Sequence, residues 1–355
     1  MMDMSFPKVL ALQTGVPETC YPQEMITDFY VHLLDVQGKR RERAIRTVMN
    51  HSGVACRYSV VEPEFFETPK STQQRNERYM AAALPLGAQV IESGLASAGI
   101  SPQQIDSLII VSCTGFNVPG LDLLLARQLG MSPRLNRTCV FGMGCYGAFP
   151  GIKRALESVK AGSNQLALVL CLELCTPHLQ FDDATESVVS TSLFADGAGM
   201  ILVGDNTSAQ NGPTLIDGET FCDYQTLDHM SFTLTDQGFR MYLSSYVPDL
   251  LAANVREFVD RLLARNGLQR EDVKFWAIHP GSKHIVECIQ EKLGLADDQV
   301  RYSLETLHDY GNMSSATVLF VLDRIMQAGD PQPGDYGVMM AFGPGLTMES
   351  LLLRW

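Results

Sequence analysis

Residues 141–162 read FGMGCYGAFPGIKRALESVKAG and set Cys145 among Gly142, Gly144, Gly147 and Gly151, directly before a helix-like run. Glycine permits a tight turn with unusual backbone angles and a close approach by another segment. Proline is tolerated only in the first turn of a helix, so Pro150 starts the regular helix near Ala148 or Phe149 and leaves Cys145 on the preceding turn. A cysteine there meets the positive end of the helix dipole, which favours a thiolate and lowers the thiol pKa. A buried cysteine in a glycine-rich packing contact fits this segment equally well, because most cysteines are structural.

Outward from this turn, short apolar runs alternate with amphipathic ones. Residues 106–113 (DSLIIVSC), 164–174 (NQLALVLCLEL) and 273–279 (VKFWAIH) read as buried strands. Ile152, Leu156 and Val159 form one helical stripe, and Val255, Val259 and Leu262 another. The alternation predicts an α/β fold. Residues 192–204 (SLFADGAGMILVG) and 340–353 (MAFGPGLTMESLLL) both set an aromatic residue before a glycine-containing turn and an apolar strand. They suggest a duplicated α/β unit, residues 1–215 and 216–355. The boundary is expected in 205–235, whose Asp, Asn, Gly and Thr read as turns and linkers.

With 355 residues, 46% of them hydrophobic, the chain can bury one large core or two fused halves. No run of about 18 apolar residues predicts a membrane span. The N-terminal MMDMSFPKVLALQTG lacks the long apolar core of a secretory signal, so a cytoplasmic location is expected. Nine scattered cysteines, an odd number, fit buried thiols in a reducing compartment. Cys171 and Cys175 have no second Cys or His pair at ligand spacing, so no metal site is predicted. A net charge of −13 argues against nucleic-acid binding. Against it stands a basic cluster, Lys39, Arg40, Arg41, Arg43 and Arg46, which reads either as a solvated helix face or as a patch for a polyanion such as coenzyme A.

Two further segments carry chemistry. In WAIHPGSKH (276–284), His279 ends an apolar strand before a Pro-Gly turn, at the edge where α/β ligand sites gather. In DYGNMSSATVLF (309–320), Asn312 stands before an apolar helical run. It suits a helix cap, or an amide donor aimed at a carbonyl oxygen that becomes anionic. Together Cys145, His279 and Asn312 make a coherent nucleophile, donor and second donor.

On these residues the chain resembles a type III polyketide synthase of bacterial type, in the chalcone synthase-like branch of the thiolase fold, over nearly its whole length. The carriers are Gly144-Cys145, His279-Pro280-Gly281, Tyr310 to Ser315, and the loop Ala341-Phe342-Gly343-Pro344-Gly345, with alanine at its first position. The resemblance implies two thiolase-like halves in a five-layered αβαβα arrangement. It also implies an acyltransferase without cofactor or metal, in which Cys145 takes an acyl group from an acyl-CoA starter. His279 and Asn312 would hold the malonyl-CoA thioester carbonyl and stabilise the enolate formed on decarboxylation. Phe194 aligns with an aromatic at the junction of the coenzyme A tunnel and the cavity. Met241 stands where a second gatekeeper is usually Phe, which favours a medium- or long-chain fatty acyl starter and an alkylpyrone or alkylresorcinol-type product. Thr114, Val118, Gly343, Pro344 and Gly345 are implied to line the substrate space. Val118 would reach into the partner of a homodimer through a cis bond to Pro119. Arg46, Arg57 and Ser282 are the expected coenzyme A contacts. Three readings compete: a ketoacyl carrier-protein synthase III, a pyrone-forming ketosynthase joining two preformed chains, and a cysteine hydrolase. Delivery of the starter by a carrier protein is not favoured.

Overall fold

The computed structural model describes residues 6–162, 165–205, 212–244 and 246–355. The chain opens with β1 (Lys8–Gly15) and a small ladder, β2 (Cys20–Pro22) and β3 (Cys56–Tyr58), with α1 (Gln23–Leu33) and α2 (Arg40–His51) between its strands. Next comes the long helix α3 (Thr72–Ala98). It starts on a capping box in which Ser71 Oγ accepts from the Gln74 N–H and Gln74 returns a bond to the Ser71 N–H, and it stops at Gly99 in the left-handed conformation. β4 (Ser107–Val111), α4 (Leu121–Gln128), β5 (Asn136–Val140), α5 (Ala148–Lys160), β6 (Ala167–Leu174), α6 (Thr185–Leu193) and β7 (Asp196–Gly204) complete a first unit. The second contains β8 (Thr214–Cys222), the hairpin β9 (Met230–Thr235) and β10 (Gly238–Leu243), and α7 (Val247–Arg265). It goes on through β11 (Val273–Ile278), α8 (Lys283–Leu293), α9 (Asp297–Tyr310), α10 (Thr317–Ala328), β12 (Tyr336–Gly343) and β13 (Thr347–Arg354).

The large sheet runs β11-β12-β13-β8-β1-β7-β6-β4-β5. Its two parts repeat one plan. β4 and β6 are parallel, β6 and β7 antiparallel, and β7 and β1 antiparallel; β11-β12, β12-β13 and β13-β8 follow the same sequence. Within the sheet the parts join where β1 pairs with β8, at Lys8–Thr214. Side-chain alternation then sorts each strand between two cores. Ile109 and Val111 of β4 and Phe275 and Ala277 of β11 pack with Ile152 of α5 and Val321 of α10 in a shared central core. Leu108 and Ile110 face α3 and α4, while Trp276 and Ile278 face α7 and α8. The order is therefore helices, sheet, helices, sheet, helices: the five-layered thiolase arrangement.

The central position explains the sequence of α10. Thr317 to Leu322 is buried on every side, as a helix clamped between two sheets must be. β6 and β7 are buried at every position because both faces are covered. The strands expected at 106–113, 164–174 and 273–279 are present as β4, β6 and β11, and the similar segments at 192–204 and 340–353 contain the equivalent strands β7 and β13.

One expectation needs correcting. The stretch 205–235 is not all turns, since it contains β8 and the whole of β9; residues 206–211 within it lie outside the described residues. β8 is largely half-exposed, which is why Asp217, Glu219 and Thr220 do not prevent a strand. The repeat begins at β8, so the division expected after residue 215 falls just inside that strand. Among the described residues, no helix is long and apolar enough to cross a membrane.

Candidate active site

The nucleophile candidate sits where the sequence placed it. Gly144 to Tyr146 form a short 3-10 turn and α5 begins at Ala148. Gly144 has φ +68, and a Cβ there would lie 2.6 Å from Pro344 Cδ, so only glycine serves. The β12–β13 loop thereby closes on the cysteine: a Cβ on Gly343 would approach the Cys145 nitrogen to 3.4 Å. Cys145 is half-buried and borders the apolar cluster of Cys175, Leu179 and Phe194.

The thiol does not behave as its place before a helix suggested. Burial pushes its pKa up to about 11, against hydrogen bonds from Ser314 and Asn312 that lower it; the Glu173 charge raises it further. Desolvation outweighs the helix terminus, because a thiolate loses more hydration than one dipole end returns.

His279 follows β11, and its N–H donates to the Met340 carbonyl at 2.8 Å. The imidazole is buried, and among the described residues neither ring nitrogen has a hydrogen-bond partner. Burial holds its pKa down to about 3, so the ring is neutral and keeps one N–H for a guest.

Asn312 is aimed by its own surroundings. Its Oδ1 accepts from the Ser314 N–H at 2.8 Å and from the Thr317 hydroxyl at 3.4 Å. Its Nδ2 donates to the Gly281 carbonyl at 3.1 Å, tying the asparagine to the turn after His279. The backbone is equally fixed: the Asn312 N–H donates to Leu193 O at 2.8 Å and its carbonyl accepts from Ala195 at 3.0 Å. Gly311 permits this approach, with φ +72 and only 2.8 Å between a would-be Cβ and Leu193 O. Asn312 thus pairs with the strand-like segment of Phe194.

Beneath the site lies a carboxylate that sequence reasoning missed. Glu173, in β6, is wholly buried. It accepts from Ser315 Oγ at 2.6 Å, Thr114 Oγ1 at 2.7 Å, the Cys113 N–H at 3.0 Å and the Cys113 thiol at 3.4 Å. Burial raises its pKa. A lone acid inside ALVLCLEL was the available signal, since a charge in a buried strand needs a donor set.

The other expected residues divide. Phe194 and Met241 line one cleft with Cys175, His178, Phe232 and Phe239. The Val118–Pro119 bond is cis, and Val118 is 79% exposed beside Phe116 at 62%. Thr114 is corrected: it is fully buried, and its hydroxyl joins Glu173 to the Leu174 N–H rather than facing substrate. Arg57 is corrected too. It is buried, and its Nη1 donates to the Phe194 carbonyl at 3.0 Å and to that of Thr191, so it braces the Phe194 segment from inside. Burial lowers its pKa to about 9. Arg46 is partly exposed but ion-paired, at 2.8 Å, to both Asp28 and Glu42. Ser282 caps α8 by accepting from the Ile285 N–H at 3.3 Å. Of the basic cluster, Arg40 and Arg43 remain exposed on α2.

In this five-layered duplicated fold, that of the thiolases, the Gly343–Gly345 loop closes on Cys145, and Asn312 is tied to the turn after His279. The sequence narrows the class. It matches the chalcone and stilbene synthases by their N-terminal domain over residues 4–207 and by their C-terminal domain over residues 220–355. The chain belongs to that family, the type III polyketide synthases, which build polyketides from malonyl-CoA and acyl thioesters of coenzyme A. It is similar to a 3,5-dihydroxyphenylacetyl-CoA synthase of Amycolatopsis balhimycina, 31% identical over 347 residues, which is 96% of this chain and 91% of that protein. It is similar also to an alpha-pyrone synthesis polyketide synthase-like protein, Pks18, of Mycobacterium tuberculosis, at 31% over 353 residues, covering 96% of this chain and 89% of that one. The crystal structure of 1,3,6,8-tetrahydroxynaphthalene synthase from Streptomyces coelicolor A3(2) superposes with a TM-score of 0.92 at 26% identity, covering 98% of this chain and 99% of that chain.

Proposed function

We propose that the enzyme loads a medium- or long-chain fatty acyl group from coenzyme A onto Cys145 and extends it with malonyl-CoA to an alkylpyrone or alkylresorcinol-type product. The observation behind this reading is the cluster of Leu179, Phe194 and Met241 that Cys145 borders, and the cleft it shares with Phe232 and Phe239, where the flexible Met241 stands in place of a rigid ring. The relation to an alpha-pyrone synthesis protein agrees with it.

In this mechanism the Cys145 sulfur attacks the starter thioester, the acyl–sulfur bond to coenzyme A breaks, and coenzyme A leaves as its thiol with the proton that Cys145 gives up. Malonyl-CoA then binds with its thioester oxygen at the free N–H of His279 and the second N–H of Asn312. Carbon dioxide departs, and its bonding electrons pass into an enolate held by these two donors. A neutral imidazole suits this role, because it keeps an N–H for the oxyanion without adding a buried charge to the resting site. The enolate carbon attacks the Cys145 thioester and expels the thiolate, leaving a chain two carbons longer on coenzyme A. The apolar walls exclude water that would hydrolyse the thioester.

The exposed Phe116 and Val118 support a homodimer in which Val118 meets the partner's cavity. Nine free cysteines support a reducing, cytoplasmic location. The deciding experiment incubates the pure protein with malonyl-CoA and acyl-CoA starters from acetyl to palmitoyl, with products read by mass spectrometry. Extension of the long starters in preference to acetyl is expected. Preference for acetyl or for malonyl-CoA alone would refute the fatty-acyl reading, and no malonyl-CoA consumption with any starter would refute the condensing role.

A further inference from the structure

The loop that joins β12 to β13 departs from ordinary hairpin chemistry. Gly343 pairs with Thr347, which leaves Pro344, Gly345 and Leu346 between the strands. Gly345 has φ +71, as a glycine may. Leu346 follows at φ +41, in the left-handed region that a hairpin normally gives to glycine or asparagine. A leucine gains nothing there from its backbone. Its side chain explains the choice: Leu346 is 1% exposed and belongs to the outer core of Val247, Leu251, Phe342 and Met348. Burial thus holds the main chain in a conformation that leucine otherwise avoids.

The other face of the loop meets the nucleophile. A Cβ on Gly144 would lie 2.6 Å from Pro344 Cδ, and one on Gly343 would lie 2.7 Å from Tyr146 Cδ1 and 3.4 Å from the Cys145 nitrogen. Among the described residues no hydrogen bond joins residues 343–346 to residues 144–146, so the contact is steric. A steric contact keeps its place only when the loop is held from behind. The Gly345 N–H donates to the Met230 carbonyl at 3.2 Å, and the Leu346 carbonyl accepts from the Asp223 N–H at 3.4 Å. Those two partners flank a segment whose Tyr224 and Leu227 are exposed, so the buried Leu346 side chain is the firmest of the three restraints.

We propose that Leu346 is a positioning residue for acyl loading. Its buried side chain and left-handed backbone press Gly343 and Pro344 onto the Cys145 turn, and so fix where the sulfur stands when it meets the starter thioester. Strain at this position is thus tied to function. His279 and Asn312 take their support elsewhere, from the main chain of Met340, Gly281, Leu193 and Ala195. The inference rests on Cys145 being the nucleophile.

The test measures single-turnover acyl loading by intact mass, with acetyl-CoA and lauroyl-CoA as alternative starters, in the full-length protein. Malonyl-CoA decarboxylation and thermal melting are followed beside it. Leu346→Gly frees the left-handed backbone and removes the anchor. It should load about tenfold more slowly with whichever starter the parent accepts, since a misplacement of about 1 Å can cost on the order of 100-fold. Its decarboxylation should stay within about threefold of the parent. Leu346→Met refills the core site, and loading should return to within about twofold. If Leu346→Gly does not fold, Leu346→Ala, with most of the anchor gone, should show the same split at about threefold. A folded variant without the anchor that loads at the parent's rate would overturn the proposal. So would equal losses of loading and decarboxylation, which would mark a structural role alone. Acyl loading by a Cys145→Ala protein would instead sink the assignment of the nucleophile, and the two failures are distinguishable.

Discussion

Replacing His279 by glutamine removes the most strongly shifted imidazole in the site and leaves a side chain that does not titrate. The folded protein holds this ring neutral down to about pH 3, against 6.5 ordinarily. As pH falls through 6.5 the unfolded chain takes up a proton here and the folded chain does not. The contribution of His279 is therefore intact above 6.5 and is lost progressively toward 3. At about pH 5 the gap is roughly 1.5 pH units, or about 2 kcal/mol. Unfolding entropy of about 2.1 cal/mol/K per residue gives about 0.75 kcal/mol/K for a chain of 355 residues, so the loss is worth about 3 °C. Thermal melts of parent and His279→Gln at about pH 7 and about pH 5 check this: the parent's melting temperature should fall about 3 °C further than the variant's. His178, held down to about 4, and Asp196, raised to about 6, also titrate in this window, but they are common to both proteins and cancel in the difference. Parallel pH dependences would refute the reasoning, because they would mean that His279 is protonated equally readily in the folded and unfolded chains.

Cys145→Ala should abolish acyl loading, measured by intact mass after incubation with a starter, yet retain slow malonyl-CoA decarboxylation through His279 and Asn312. Asn312→Ala should reverse that pattern, with decarboxylation falling about 100- to 1,000-fold and loading reduced far less, in single-turnover assays of each step. Arg57→Met should lower the melting temperature by several degrees through the two carbonyls it leaves unpaired, with the KM for malonyl-CoA within about twofold of the parent; a large rise in KM at an unchanged melting temperature would restore Arg57 as a coenzyme A contact. Met241→Phe should cut kcat/KM for palmitoyl-CoA by about tenfold relative to a short starter, as the added ring fills the cleft beside Phe194.

The residues named for the chemistry were legible because each has a local signature. A Gly-Cys pair before a helix, a histidine ending an apolar run at Pro-Gly, and an asparagine before an apolar helix are patterns of adjacent residues, governed by turn geometry, capping and helix starts. The two equivalent strands β7 and β13 were legible for the same reason, since an aromatic, a glycine turn and an apolar run lie side by side in the chain. β8 was obscured because a half-exposed strand carries the polar residues of a loop, and only its pairing with β13 shows what it is.

What the sequence by itself determined is therefore the alternation of strands and helices and the duplication, and it named Cys145, His279 and Asn312 as the candidates for the chemistry. The tertiary structure decided their state and their company. Whether Cys145 rests as a thiol depends on how deeply remote segments such as the Cys175, Leu179 and Phe194 cluster bury it. Whether Arg57 meets a ligand or two main-chain carbonyls depends on residues 134 and 137 positions away. Glu173 gathers donors from the loop after β4 and from the turn before α10, 142 residues distant. Burial and such long-range hydrogen bonds arise only when remote segments are packed together, so no local pattern of residues encodes them.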